Sequence, residues 1–476
     1  MNWTPSTKMR ANAAFAALVG LALRFYLVLV FPVTDSGDAP FYIELAWNWL
    51  KKGVYGFSIN GRLTPVDMRV PGYPAFLAAV FAVAGRSPRA AMLAQAVLDV
   101  VSCFVVALIA ARLAPPESRR RVTIAALWLA ALCPFTANYS AVVLTEVLVT
   151  FLTALAILIL IGAYRHEILG GAPGVRGLSP WFLGGLVAGF GTLVRPETPL
   201  LLAATGLALA ARWWRPRDWK RLVRAGVLMA AGLALPLVPW AARNWRTLHE
   251  AQFLAPRYST LPGEFEPLGF DRWTGTWLWR YGDVYLSLWK LNDEAIRASD
   301  LPASAFDSRQ ERARVARLLD EYDRTYTLTG AEDRAFGEIG RERTARDPVR
   351  TYATIPVLRS LALWFAPRVE LLPYSGQLRP FAAQWEDDRE DLLVTLGLIA
   401  ANAIYLALAL AGAWVARGRC GWGILVCFIL LRTIYIARFV ETPEPRYVLE
   451  CFPAVIALAA LAFSWRSKGT DASTEA

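Results

Sequence analysis

The chain has 476 residues, 56% of them hydrophobic, and a mean hydropathy of +0.36. Apolarity of this degree, gathered in long blocks, excludes a soluble globular protein and predicts a polytopic membrane protein. The net charge of +11 would suit a nucleic-acid partner, but the cations sit in short connections between apolar blocks, which excludes that reading too.

Ten apolar blocks are candidate spans: 11–33, 89–113, 121–134, 145–164, 181–194, 198–212, 225–242, 391–415, 422–439 and 447–465. The predicted fold is therefore all-α, with about ten transmembrane helices. Two of the blocks, 121–134 and 181–194, fall short of the ~20 residues that a bilayer crossing needs. The first block lacks a small-residue cleavage site and runs through Arg24 and Tyr26, so it reads as a retained span and not as a removed signal peptide. Arg24 is costly to insert, and demands either a buried carboxylate partner or a catalytic task.

The segment 33–88 follows. Asp38-Ala39-Pro40 opens a helix carrying Tyr42, Leu45, Ala46, Trp49 and Leu50 on one stripe, with Glu44, Asn48, Lys51 and Lys52 off it. Such a helix is predicted to lie on the bilayer surface and to end at Gly53 and Gly56. Asp35 reads as a loop residue. A second apolar stretch, 71–83, follows the turn Arg69-Val-Pro71-Gly-Tyr73-Pro. Further on, Arg119, Arg120 and Arg121 fill one connection. Arg212, Arg215, Arg217, Lys220, Arg221 and Arg224 fill another, and Arg417 and Arg419 a third. The positive-inside rule makes these loops cytoplasmic and places both termini inside, so the alternate loops face outward.

The second large outward segment runs from about 243 to 390, between an N-terminal membrane module (1–242) and C-terminal membrane helices (391–476). It carries Trp273, Trp277, Trp279, Tyr281, Tyr285 and Trp289, which suit either a sugar or lipid platform or an aromatic belt at the interface. The charged stretch 308–347 reads as a solvated helical pair. Residues 351–366 are apolar, but as a span they would put the acidic 386–391 patch inside and Arg417 and Arg419 outside. They are therefore laid on the surface, and an eleven-span arrangement stays open. The last ten residues or so read as a polar tail, with no soluble C-terminal domain expected.

The five cysteines lie in or beside spans and the two histidines are unpaired. Neither a disulfide framework nor a metal-ligand spacing is visible, so metal-independent chemistry without a cofactor is expected. The candidate polar residues gather at span ends and in outer loops. Asp38 is a candidate general base; it precedes Ala39-Pro40 and is equally well placed as a helix N-cap. Arg69 could bind phosphate or snorkel to head groups. Glu146 stands just before an apolar run, Arg195 and Glu197 flank Pro196 and could pair, and Arg446 flanks the last span.

Asp38-Ala-Pro-Phe-Tyr42-Ile-Glu-Leu-Ala46 resembles the Asp-x-x-x-Tyr-x-x-x-small signature after the first span of polyprenyl-phosphate-sugar glycosyltransferases. These belong to the C-type (GT-C) membrane superfamily, with protein O-mannosyltransferases and aminoarabinose transferases among them. Arg69-Val-Pro71-Gly-Tyr73-Pro is similar to their Arg/Lys-x-Pro-x-Tyr motif. Thr145-Glu146 is similar to their second acidic position, and Arg195-Pro-Glu197 and Pro445-Arg446-Tyr447 resemble further motifs at outer helix ends. Met68 stands where aminoarabinose transferases carry an acidic residue, with Asp67 one position earlier.

The resemblance implies a lipid-linked sugar donor, a hydroxyl acceptor and an inverting transfer at the outer face of a bacterial inner membrane. It further implies that Asp38 is the base and Glu146 a second catalytic carboxylate. Arg69, Arg195 and Arg446 would hold the donor phosphate, and Tyr42, Tyr73 and Tyr447 would line the cavity. The competing expectation is a transporter or flippase of a lipid-linked substrate. It is weakened because no pair of broken helices repeats between the two halves. A third is a non-catalytic partner in a cell-envelope assembly.

Overall fold

The structure is a computed structural model that describes residues 7–33, 37–169, 179–213, 218–258 and 265–464. Asp35, Arg215, Arg217 and the polar tail lie outside the described residues. Two compact units emerge. The first comprises residues up to Ser259 with 367–430 and 449 onward; the second comprises 260–366 with 431–448.

The first unit is built from apolar helices. In chain order they begin with α1 (Thr7–Val30), α2 (Ala39–Lys52), α3 (Gly72–Ala84), α4 (Pro88–Leu113), α5 (Arg119–Ala131) and α6 (Pro134–Ala137). Next come α7 (Glu146–Leu169), α8 (Pro180–Thr192), α9 (Leu200–Trp213) and α10 (Trp219–Leu248). A two-stranded hairpin, β1 (Gly56–Ile59) and β2 (Arg62–Pro65), separates α2 from α3. The second unit contributes α11 (Leu268–Thr274), α12 (Tyr281–Tyr285), α13 (Arg309–Tyr322), α14 (Gly330–Arg346) and α15 (Ile355–Phe365). The chain ends with α16 (Phe381–Asp387), α17 (Arg389–Val415), α18 (Trp422–Phe439) and α19 (Phe452–Leu461).

A helix covers each of the ten apolar blocks. Among the described residues seven helices are long and apolar enough to cross a membrane, and an eighth span arises if α5 and the segment from Pro134, bent by 45°, count as one. The remaining two blocks are α8 and α9, of 13 and 14 residues. The all-α polytopic expectation therefore holds. The protein is an integral membrane protein.

Short α8 is held by glycine. A Cβ on Gly185 would sit 2.2 Å from the Met229 carbonyl of α10, and one on Gly189 would meet Pro236 at 2.5 Å. Glycines four apart thus let two backbones approach more closely than side chains would permit. Within α10, Pro236 and Pro239 each withdraw a backbone donor from the helix.

The surface helix α2 starts with Pro40 in its first turn and stops at Gly53, whose left-handed φ of 68° lets its N–H return to the Trp49 carbonyl. Its buried face differs from the expected stripe: Ile43 and Asn48 are buried, while Trp49 is 37% exposed. The reason lies in the hairpin. Asn48 Nδ2 donates to the Gly56 carbonyl at 2.9 Å, and the Ser58 N–H donates to Glu44 at 2.9 Å, so part of the polar face of α2 is covered as well as Leu45 and Ala46 of the stripe. The hairpin itself turns on Asn60-Gly61, both at positive φ, the pairing that a two-residue turn favours.

In the second unit α13 and α14 form the expected charged pair, each with a serine or threonine N-cap. The aromatic cluster needs correction. Trp273 and Trp277 are fully buried among Phe270, Tyr322 and Phe336 in that unit's core, so they are neither a platform nor an interface belt. Their spacing, with Phe270, is that of a helical core stripe. Only Tyr285 and Trp289 of this group are substantially exposed. Helix α15 has 11 residues, too short to cross a bilayer alone.

Candidate functional site

Four segments of the first unit converge at the start of α2. The chain leaving α1 is pinned to the segment before α7, where the Val33 N–H donates to the Ala141 carbonyl at 2.8 Å and Val33 bridges Val142. Helix α3 meets the end of α8 through Gly72, whose N–H reaches the Leu193 carbonyl at 2.6 Å. These ties bring the 38–42 segment, the 69–73 segment, the N-terminus of α7 and the 195–198 turn together.

Asp38 occupies the N-cap position of α2, yet its side chain makes no capping hydrogen bond. Its carboxylate instead receives Arg69 at 2.8 Å, with both side chains partly open to solvent at 27% and 19%. Asp38 thus stands at the cap position without capping through a side-chain hydrogen bond. Burial pulls the Arg69 guanidinium down, but Tyr42 and Asp38 beside it outweigh this and raise its proton affinity. The Tyr55 hydroxyl donates to the Arg69 carbonyl at 2.8 Å and fixes the backbone of the turn.

Tyr42 and Tyr73 meet edge to face at 5.1 Å. The Tyr42 phenol is pushed up to about 12, by burial first and then by Asp38, against Arg69 and Arg195 and with a further push from Glu146. All four charged candidates of this unit thus act on one hydroxyl. Tyr73 donates to Gln95 of α4, which in turn donates to the Val142 carbonyl at 2.7 Å. Gln95, invisible as a site residue in the sequence, is what orients Tyr73.

Glu146, 2% exposed at the first turn of α7, takes Arg195 on one carboxylate oxygen at 3.2 Å. Its other oxygen has no hydrogen-bond partner among the described residues. Arg195 also lies 3.9 Å from Glu197. The expected Arg195–Glu197 pair is thus the looser of two contacts. Glu450, 1% exposed, was not singled out by the sequence. It accepts Thr153 of α7 at 2.8 Å and Thr198 at 3.4 Å. Because Thr198 also donates to the Arg195 carbonyl at 3.0 Å, Glu450 anchors the turn that carries Arg195. Its position five residues beyond Pro445 was the only available signal.

Arg446 and Tyr447 belong to the second unit, where both bind Glu444: Arg446 at 2.6 Å, and Tyr447 through its hydroxyl at 2.6 Å. Arg24 is resolved as structural. It pairs with Asp99 of α4 at 2.7 Å and donates to the Gly20 and Ala131 carbonyls. Among the described residues no three His, Cys, Asp or Glu side chains converge to hold a metal ion. All five cysteines are free.

An apolar cleft of about 900 Å³ lies in the same unit, between α2, α3, α7, α8 and α10. Trp49, Phe76, Leu152, Phe190, Pro236 and Trp240 are among its walls. Its lining also includes Pro71 and Gly72, just after Arg69, and Val194, just before Arg195. At one side Arg243 donates to the Val66 and Tyr55 carbonyls at 2.8 and 2.7 Å and stacks on Tyr55 and Trp240, clamping α10 to the hairpin.

Residues 68–240 match a family model described as dolichyl-phosphate-mannose-protein mannosyltransferase. No curated protein sequence matches the chain. Among solved structures, the archaeal oligosaccharyltransferase AglB from Archaeoglobus fulgidus, in complex with an inhibitory peptide and a dolichol-phosphate, is similar. It has a TM-score of 0.51 and 15% identity, over 97% of this chain and 50% of that one. The apo form of the A. fulgidus oligosaccharyltransferase gives a TM-score of 0.49 and 14% identity, over 97% of this chain and 51% of that one. The chain thus spans about half the length of the solved structures it matches, and at such identity the likeness is one of fold. The resemblance to C-type membrane glycosyltransferases, first carried by short motifs, is thus joined by a family match over residues 68–240 and by a likeness of fold.

Proposed function

We propose that the chain transfers a sugar from a polyprenyl monophosphate carrier to a hydroxyl acceptor, with inversion, at the outer face of a bacterial plasma membrane. The observation that carries this reading is the Asp38 carboxylate, which makes no capping hydrogen bond to the helix it precedes and pairs with Arg69. The family match over residues 68–240 supports a lipid-phosphate donor, and the apolar cleft beside Arg69 and Arg195 suits a polyprenyl chain.

In this reading the donor phosphate competes with Asp38 for Arg69, since a phosphate oxygen is the better partner for a guanidinium fork. Donor binding therefore frees the base. Asp38 then accepts the proton of the acceptor hydroxyl as its oxygen attacks the anomeric carbon, and the bond from that carbon to the phosphate oxygen breaks. Arg69 and Arg195 take up the charge of the departing polyprenyl phosphate. Glu146 fixes Arg195 with one oxygen and offers the other to a substrate hydroxyl. Tyr42 and Tyr73 wall the sugar. The chemistry needs no resident metal, and turnover lost to EDTA and restored by a divalent ion would overturn that part.

The test is sugar release from labelled polyprenyl-phosphate donors by purified protein, wild type against Asp38→Asn. Turnover that collapses in a folded variant supports the base assignment, and unchanged turnover refutes it. Donor that crosses vesicle membranes without sugar release would favour the flippase.

A further inference from the structure

The 350–365 segment of the second unit presents an apolar face that the protein leaves bare. Val357, Leu361 and Phe365, spaced four apart on α15, are 58%, 49% and 60% exposed, and Tyr352 in the π-helical turn before them is exposed as well. The opposite face is fully used. Arg359 is buried there and donates to the Leu278 and Val440 carbonyls at 2.8 and 3.0 Å. Leu363 packs with Ile436, Ala437 and Val448. Within the same unit lie the last turns of α18, a helix long and apolar enough to span a membrane.

From Arg359 onward the contacts to α18 and to Val440, just past its end, run in a definite order. The Arg438 guanidinium lies 5.1 Å from the Tyr352 ring centroid. Arg359 reaches Val440, Leu363 meets Ile436 and Ala437, and Trp364 Nε1 donates to Thr433 at 2.9 Å. As α15 proceeds, its partners on α18 thus move inward from the helix end. The 18 residues of α18 are about 27 Å long, so the whole helix is needed to cross the ~30 Å hydrocarbon core, and its end marks the core's edge. Thr433 lies about 9 Å inside that end.

We infer that α15 enters the outer part of the bilayer beside α18, tilted so that Phe365 lies deepest and Tyr352 stays at the head groups. The occupant of its bare face is lipid. The argument is continuity: Ile434 and Phe439 of α18, 58% and 53% exposed, form the adjoining lipid-facing surface. Arg438, stacked on Tyr352 and Phe439, marks the head-group level where guanidinium and aromatic side chains gather. This departs from the expectation that 351–366 is laid on the surface, and it does not depend on the transferase reading. The second unit is then held to the membrane at two places, α18 and α15.

The test uses the full chain in proteoliposomes with Cys420→Ser and Cys427→Ser, the three other cysteines being buried. Nitroxides are placed by Tyr352→Cys, Val357→Cys, Leu361→Cys and Phe365→Cys, with Gln310→Cys on α13 as an aqueous control. Accessibility to oxygen relative to a water-soluble relaxation agent should rise stepwise from 352 to 365, while 310 stays fully aqueous. Four equal values, whether aqueous or interfacial, would overturn the tilted insertion. Labels at 357, 361 and 365 shielded from both agents would overturn lipid as the occupant, because protein must then cover the face.

Discussion

Two arginine–carboxylate pairs of the first unit have nearly the same geometry and opposite situations. Arg24–Asp99 closes at 2.7 Å with side chains 0% and 4% exposed, and Arg69–Asp38 closes at 2.8 Å with both members partly exposed. Arg24 also donates to carbonyls of α1 and α5, so it ties three helices and has no reach left for a ligand. Arg69 beyond Asp38 donates only to the adjacent Met68 carbonyl among its described hydrogen bonds, and it stands beside an apolar cleft. A sealed pair costs its desolvation once and is worth most when left intact, whereas an open pair can exchange partners at small cost. Identical geometry therefore says little about role; solvent access and the remaining donors decide it.

The comparison can be broken in several ways. Asp38→Asn should lower turnover by about 10²–10⁴-fold while leaving the melting temperature almost unchanged; a lost fold with retained specific activity would reverse the roles of the two pairs. Asp99→Ala strands Arg24 in the helix bundle and should cost about 3–5 kcal/mol of stability. Thermal unfolding in detergent would read it, and an unshifted transition would refute the structural role. Gly72→Ala should cost about 1–3 kcal/mol, because the new Cβ would lie 2.5 Å from the Leu193 oxygen. It should also raise donor KM by displacing the Arg69 turn from the Arg195 turn.

Arg69→Lys keeps the charge and loses the fork, so donor KM should rise about tenfold with kcat less affected. Equal kinetics would mean that Arg69 only neutralises Asp38. The smallest effect is expected at Asp67. Burial, and then Glu250, raise its carboxyl above the ordinary range, against Arg243. A raised folded pKa means that the ionised form is penalised in the native state. The penalty is full above that pKa and disappears as the pH falls below the unfolded value. Asp67→Asn should therefore melt slightly higher than wild type at pH 7–8 and coincide with it in acid; a gap that widens in acid would refute this.

Much of the fold was legible because hydrocarbon imposes a simple rule: apolar blocks must be helices, and all ten blocks are. The α13–α14 pair and the Gly53 stop were equally readable, as both rest on local capping chemistry. The Asn60-Gly61 hairpin carried a plain turn signal in the same residues. Trp273 and Trp277 misled because indole suits an interface and a core equally, and only packing separates the two. The α2 stripe held at Leu45 and Ala46 and misled at Trp49, and the hairpin covered Asn48, which the stripe had left outside.

By itself the sequence determined the helical membrane architecture and the acidic and basic residues available at span ends, since insertion energies and capping preferences act over short stretches of chain. Pairing was decided only by tertiary structure. Asp38 meets Arg69 across 31 residues, Glu146 meets Arg195 across 49, and Arg24 meets Asp99 across 75. Charged side chains carry no label for their partner. The partner is whichever group the glycine-mediated approach of α3 to the end of α8, the Val33–Val142 bridge and the Gln95 clamp bring within hydrogen-bond reach.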